Sequence, residues 1–268
     1  MVRSRTLPVF TRRYDGLLVG RRPDELVVEE PLTIRLDDQI VTSTMRTPGH
    51  DFELAAGFLL AEGLLEPDLV TGIRYCGDGS ALESDYNVVS VDTDGRAPTP
   101  TPRLGPISAS CGLCGAEAIE TLTERLQVLG PHEPWDPDLL VSLPERLAGA
   151  QPLFDATGAV HAAAAIDRSG RVVVAREDIG RHNAVDKVTG RLLLDDALPA
   201  ADLALVISGR ASFEMVQKAW SGGYTALVAV SAPSGLAVTT ARRAGLTLVG
   251  FARGSTATFY SPPDLVDG

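Results

Sequence analysis

The chain of 268 residues is short of cysteine, of aromatic residues and of positive charge, and each shortage excludes something. Three cysteines are too few, and odd in number, for a disulfide framework. In a reducing compartment they point instead to thiol chemistry or to metal. No apolar run approaches the roughly 18 residues of a membrane span. Met1-Val2-Arg3-Ser4-Arg5 leads into no apolar stretch resembling a signal peptide, so the cytoplasm is the expected location and a membrane is not an expected partner. Lys+Arg number 24 against 35 Asp+Glu, a net charge of −11, which argues against a nucleic-acid coat or a membrane-surface protein. Aromatics make up only 5% of a chain that is 44% hydrophobic, so the core must be built from Ala, Val and Leu, as in helix-covered parallel sheets.

What is present divides the chain in two. Between Glu25 and Met45, Leu32, Ile34 and Leu36 alternate before a turn at Asp37-Asp38, the pattern of a β-hairpin. After Pro48-Gly49, Phe52, Ala55, Ala56, Leu59 and Leu60 recur at helical spacing, with His50 or Asp51 as the expected cap. Short strands are predicted at Ile73–Cys76 and Asn87–Val91. Pro98, Pro100, Pro102 and Pro106 then crowd a stretch that suits an extended linker. The expected domains are residues 1–103, smaller, β-rich and α+β, and residues 104–268, an α/β unit.

The second unit opens with Ser110-Cys111-Gly112-Leu113-Cys114-Gly115, followed by a predicted helix over Ala116–Leu129. Val160–Ile166 and Arg171–Arg176 read as a second hairpin, and Arg181–Leu194 as a helix. Short apolar strands at Leu203–Ser208, Ala226–Ser231 and Leu246–Ala252 alternate with helices around Phe213–Trp220 and Leu236–Ala244, a βαβαβ succession.

In such a succession ligands bind beyond the carboxyl ends of the strands. Those ends read Ser208-Gly209-Arg210, Ser231-Ala232-Pro233-Ser234 and Arg253-Gly254-Ser255, offering hydroxyls, backbone donors and two guanidinium groups suited to phosphate. From Arg176 to Arg253 there are 9 basic and 7 acidic residues, a local +2 within an acidic chain. Cys111 and Cys114 stand before a helix, where a helix N-terminus and a neighbouring sulfur both favour thiolate. A zinc site would need Cys76 and one of His50, His161 or His182 as well, since structural sites take four ligands. The turn from Arg176 to Asn183 is unusually rich in functional groups, among them Arg181 and His182. His182 can titrate near neutrality or donate to an anion. His161, followed by four alanines on a strand, reads as a core histidine, and Glu214 with Lys218 as an i,i+4 ion pair.

Together these segments resemble the formate dehydrogenase accessory sulfurtransferase family, FdhD. The resemblance runs through Glu30-Pro31-Leu32-Thr33-Ile34, Met45 through Asp51, Ser110 through Gly115, Val160-His161-Ala162-Ala163, Arg176 through Lys187, Ser208 through Lys218, and Ser231 through Ser234. It implies a sulfurtransferase that takes sulfur from a cysteine desulfurase as a persulfide and passes it to the molybdenum (or tungsten) bis(molybdopterin guanine dinucleotide) cofactor, bound as substrate, before that cofactor enters formate dehydrogenase. Cys111 takes the carrier role and Cys114 assists. The cofactor-binding loop of the family maps onto Phe251, Ala252, Arg253, Gly254, Ser255 and Thr256. The resemblance also implies a homodimer and a cytidine deaminase-like layered α/β domain with a mixed sheet. Two departures are visible: Gly158-Ala159 stands where two glycines are common, and Ala257-Thr258-Phe259 replaces a stretch that usually carries Asn.

Two rival readings follow. A zinc deaminase needs a His or Cys with a Glu two residues on, and here His161 is followed by Ala162-Ala163. A non-catalytic chaperone would use the same cysteines to clamp the metal centre of the cofactor.

Overall fold

The computed structural model describes residues 4–75, 80–100 and 126–261. Cys76, Cys111, Cys114 and most of the helix predicted from Ala116 lie outside the described residues. The end of that predicted helix is corrected: Leu126–Leu129 are not helical, and Leu126 and Leu129 pack instead on the core, with Gln127 O accepting from Trp220 Nε1 at 2.7 Å.

The protein is a mixed α/β fold. Its larger sheet runs β12-β11-β10-β9-β7-β8, with β7 at His161–Asp167, β8 at Val172–Asp178, β9 at Leu203–Ile207, β10 at Ala226–Ala229, β11 at Thr247–Arg253 and β12 at Thr256–Phe259. The central β9, β10 and β11 are parallel, and antiparallel partners close both sides. The apolar runs in these strands serve two faces at once. Ala163, Ala165, Leu205, Ile207, Leu227 and Leu248 face helices α4 (Arg181–Leu194), α5 (Phe213–Ser221) and α6 (Gly235–Ala244). Their neighbours Ala162, Ala164, Ala204, Val206 and Val228 face α2 (Pro137–Ala148). Alanine in β7 keeps both helix layers close to the sheet.

Helix α2 and the short α3 (Pro152–Thr157) have no counterpart in the sequence-based expectations. The signal for α2 is nonetheless there: Asp136 accepts from the Asp138 N–H as N-cap, Pro137 occupies the first turn, and Leu140, Leu143 and Leu147 follow at helical spacing. β12 is also unexpected. The segment read as a loop after the last strand is in fact the end of β11, a turn at Gly254-Ser255 and a further antiparallel strand.

A second sheet, β4-β3-β6-β5, is built from β3 (Glu30–Leu36), β4 (Gln39–Arg46), β5 (Gly72–Arg74) and β6 (Val88–Asp92). The expected hairpin turn holds, with both Asp37 and Asp38 at positive φ. One face of this sheet packs on α1 (Asp51–Ala61). The cap of α1 differs from expectation. His50 occupies the cap position in a left-handed conformation without a side-chain hydrogen bond, and the Asp51 carboxylate is taken by Arg46 at 3.0 and 3.1 Å. Ahead of both sheets stands a two-stranded ribbon, β1 (Thr6–Tyr14) and β2 (Leu18–Val27), which the sequence pattern did not announce.

Helices α1 and α4 join the two halves by backbone contact. A Cβ on Gly57 would sit 2.0 Å from Asp186 O, and one on Gly190 would sit 1.8 Å from Glu53 O. Only glycine fits at either position. Gly57→Ala is therefore expected to cost at least about 2 kcal/mol through overpacking, measured as a lower midpoint in urea denaturation. Unchanged stability would mean that the crossing is looser than its backbone distances state.

Candidate functional site

Arg46 and Asp178, both fully buried, organise the ground beneath the site. Arg46 binds Asp51 through two nitrogens and reaches Glu30 at 3.2 Å and Asn87 at 3.0 Å, which fixes the start of α1 against β3. Asp178, at the end of β8, accepts from Thr47 N, Gly180 N and Asn183 Nδ2, and lies 2.7 Å from Lys187 Nζ. Lys187 also donates to Thr47 O at 2.9 Å. Burial pushes the Lys187 ammonium down, and Asp178 pushes it back. The two segments Met45–Asp51 and Arg176–Lys187, distant in sequence, are thereby one unit.

The same turn places its other charged groups. Glu177 accepts from Leu153 N and Phe154 N, anchoring α3. His182 Nε2 lies 2.7 Å from Glu214 Oε2, and Lys218 Nζ lies 2.6 Å from Asp186 Oδ1. The expected Glu214 to Lys218 pair is thus replaced by two contacts between helices α4 and α5. Asp186 is fully buried, which raises its carboxyl, and the Lys218 charge opposes that rise.

A cavity of about 610 Å³ opens above this network, beyond the carboxyl ends of β9, β10 and β11. Ser208, Val230, Ala252, Arg253 and Gly254 form one side, and His161, Ile179, Phe154, Gln151 and the end of α2 around Glu145 form the other. Of the residues expected at the site, Ser208, Ala252, Arg253 and Gly254 line it directly. Gly209 stands beside it: a Cβ there would lie 3.6 Å from Arg181 Cδ and 3.7 Å from His161 Nδ1. Arg210 is exposed, and its charge acts on Arg181. Ser231 O accepts from Phe251 N at 3.2 Å, and Phe251 is half-exposed at a positive φ. Ser255 and Thr256 are exposed in the final hairpin, and His182 is buried against Glu214.

His161 is a correction. It lines the cavity rather than the core, with Nδ1 3.4 Å from Ser208 Oγ, which also accepts from Ala162 N at 2.9 Å. Burial, then the charges of Arg181 and His182, hold the imidazole below its ordinary pKa against the pull of Asp178. A neutral ring offers one donor and one acceptor. Arg181 is likewise depressed by burial, and its Nε is buried with no hydrogen-bond partner among the described residues. An uncompensated guanidinium nitrogen, an exposed Arg253 and backbone N–H groups at strand ends suit an anionic, phosphate-bearing ligand. The loops after β9 and β10 are stapled together: Ala211 N donates to Ala232 O, Ser234 N donates to Ala211 O, and Ser234 Oγ caps α6. Among the described residues no group of three or more His, Cys, Asp or Glu is placed to hold a metal ion. Nor is any described helix long and apolar enough to cross a membrane.

The model of the FdhD/NarQ family matches residues 27–267. This chain belongs to the FdhD/NarQ family. Relatives named "sulfur carrier protein FdhD" include one from Streptomyces avermitilis, 49% identical over 258 residues, 93% of this chain and 91% of that one. Those from Corynebacterium efficiens and Mycobacterium tuberculosis are 45% and 44% identical, each over 91% of this chain and 92% of its own. Among solved structures, a "putative formate dehydrogenase accessory protein" from Desulfotalea psychrophila superposes with a TM-score of 0.76 at 25% identity, covering 97% of this chain and 99% of that one.

In this FdhD-family chain Glu53 of α1 forms an ionic contact with Arg176 of β8, between the two sheets' layers. Arg176 binds its two oxygens at 2.6 and 2.8 Å, and His50 lies 3.4 Å away. Burial alone would raise this carboxyl, but the hydrogen bonds from Arg176 and His50 bring it down to about 2. A depressed carboxylate contributes stability that is present above its unfolded value of 4.5 and lost as pH falls through about 2. The stability gap between the natural chain and Glu53→Gln should therefore narrow as pH falls from about 5 towards 2. Denaturation series at several pH values test this, and a constant gap would overturn it.

Proposed function

We propose that this protein carries sulfur for formate dehydrogenase. It receives persulfide sulfur from a cysteine desulfurase on Cys111, with Cys114 assisting, and delivers it to the bis(molybdopterin guanine dinucleotide) cofactor, held as substrate at the strand ends. The observation that carries the reading is the cavity beyond β9, β10 and β11. It is lined by Ser208, His161 and Arg253, with the orphaned Arg181 nitrogen beside it, in a chain whose relatives are named sulfur carriers. At about 610 Å³ it falls within the roughly 300–1,000 Å³ of small-ligand sites, room for one nucleotide end of such a substrate.

The roles divide by chemistry. Arg253 and Arg181 bind phosphate oxygens; Ser208 and the neutral His161 hydrogen-bond the ligand without adding charge. The cysteines do the covalent work: the Cys111 thiolate attacks the outer sulfur of the desulfurase persulfide, the donor S–S bond breaks, and the desulfurase cysteine leaves as thiolate. The sulfurtransferase domain spans residues 104–268 with cytidine deaminase-like layering, and residues 1–103 support it. Two copies assemble as a homodimer in the cytoplasm. The cofactor-clamp alternative uses the same thiols without persulfide, and one measurement separates the two.

Intact-protein and peptide mass spectrometry after incubation with a cysteine desulfurase and cysteine should find one added sulfur on the Cys111 peptide, absent from Cys111→Ala. Its absence from the natural chain would favour the clamp. Arg253→Ala should weaken binding of a guanine nucleotide by about tenfold, near 1.4 kcal/mol, in calorimetric titration, while leaving persulfide formation intact. Equal affinity would move the ligand away from this cavity.

A further inference from the structure

The ribbon of β1 and β2 is the least expected part of the molecule. Its base is fixed: Arg5 Nη2 donates to Glu177 O at 3.0 Å, Val28 N donates to Arg5 O at 2.9 Å, and α3 packs on β2. Beyond the base it stands clear of the body. Leu7 and Leu26 pair across one face, Phe10 and Tyr14 lie on the other, and Leu17 and Leu18 form the tip, all exposed. Phe10 is 63% exposed and Tyr14 72%. An isolated two-stranded hairpin is at best marginally stable in water, and one with apolar residues bare on both faces calls for a covering surface.

Charge states what that surface is. Residues 1–28 contain six arginines against three acidic residues, a net +3, so the remaining residues carry −14 of the total −11. Arg12 and Arg21 pair directly across the strands, and Arg21 lies 3.8 Å over the Phe10 ring. A basic, apolar arm on an acidic body is complementary to another copy of that body. The two strands, of 9 and 10 residues, with their turn approach the about 20–30 residues a side of a standard interface.

We infer that the β1–β2 ribbon is an arm that docks on the acidic body of a second copy of this chain, each copy's arm on the other. This rests on the homodimer proposed above and names the surface that forms it. Sedimentation of the full chain at low salt should give twice the chain mass of 28.3 kDa, falling to the single mass at about 1 M salt, where charges are screened beyond about 3 Å. Phe10→Asp with Leu18→Asp, and separately Arg12→Glu with Arg22→Glu, should each give the single mass with an unchanged circular dichroism spectrum. A photoactivatable p-benzoylphenylalanine at Tyr14 serves if those variants misfold, and should crosslink to residues 29–261 of the other copy. A natural chain sedimenting at the single mass overturns both the homodimer and the arm. Folded variants that keep the double mass, or crosslinks confined within one chain, overturn the arm and leave the homodimer standing.

Discussion

The molecule depends on a buried carboxylate, Asp178, and what gathers around it. One side chain at the end of β8 fixes the Thr47 backbone, the entry to α4 and the Lys187 ammonium together. Removing either charged partner would leave the other stranded in a low-dielectric interior, a far larger loss than the net worth of the pair. Such pairs are weak evidence for stability but good at specifying one arrangement. A second pair, Asp186 with Lys218, repeats the device one layer away between α4 and α5. The glycine contact of α1 and α4 adds a backbone crossing that seats α1 on the same helix.

The site inherits its geometry from this joint. Only two residues separate the end of β8 from α4, so the carboxylate that locks the turn also sets Arg181 beside Gly209 and His161. Burial and the Arg181 charge act in the same direction on the His161 imidazole and lower its pKa against the pull of Asp178. The cavity therefore combines permanent positive charge at Arg253 and Arg181 with neutral donors and acceptors at His161 and Ser208. That is a division suited to a ligand with phosphates at one place and a polar, uncharged group at another.

Much of this was legible in the residues, and the failures have physical causes. The βαβαβ succession and the helix at Arg181–Leu194 were readable because apolar runs and capping turns alternate cleanly there. The ribbon was not, since Pro8, Pro23 and paired arginines break the alternation that marks a strand. β12 escaped because it is an edge strand of four residues, and only Ala257 and Phe259 reach the core. Helix α2 carried its signal in Asp136-Pro137 and three spaced leucines, but Pro144 inside it masked the pattern. His161 was misjudged for a different reason: the sequence places it at the start of a buried strand, and only the sheet order brings that start to the open end of β9. Which residues share the cavity is a property of topology rather than of local pattern.

The stapled loops after β9 and β10 carry one more consequence. Because Ala211 bridges to Ala232 and Ser234 through main-chain hydrogen bonds, the two loops beside Ser208 and Val230 hold each other in one arrangement. Loops tied to each other in this way have little ordering entropy left to lose on contact with a partner of any kind. A rigid edge of this kind does not relax to follow a change in whatever lies against it, so it distinguishes two forms of a ligand more sharply than a loop that adapts.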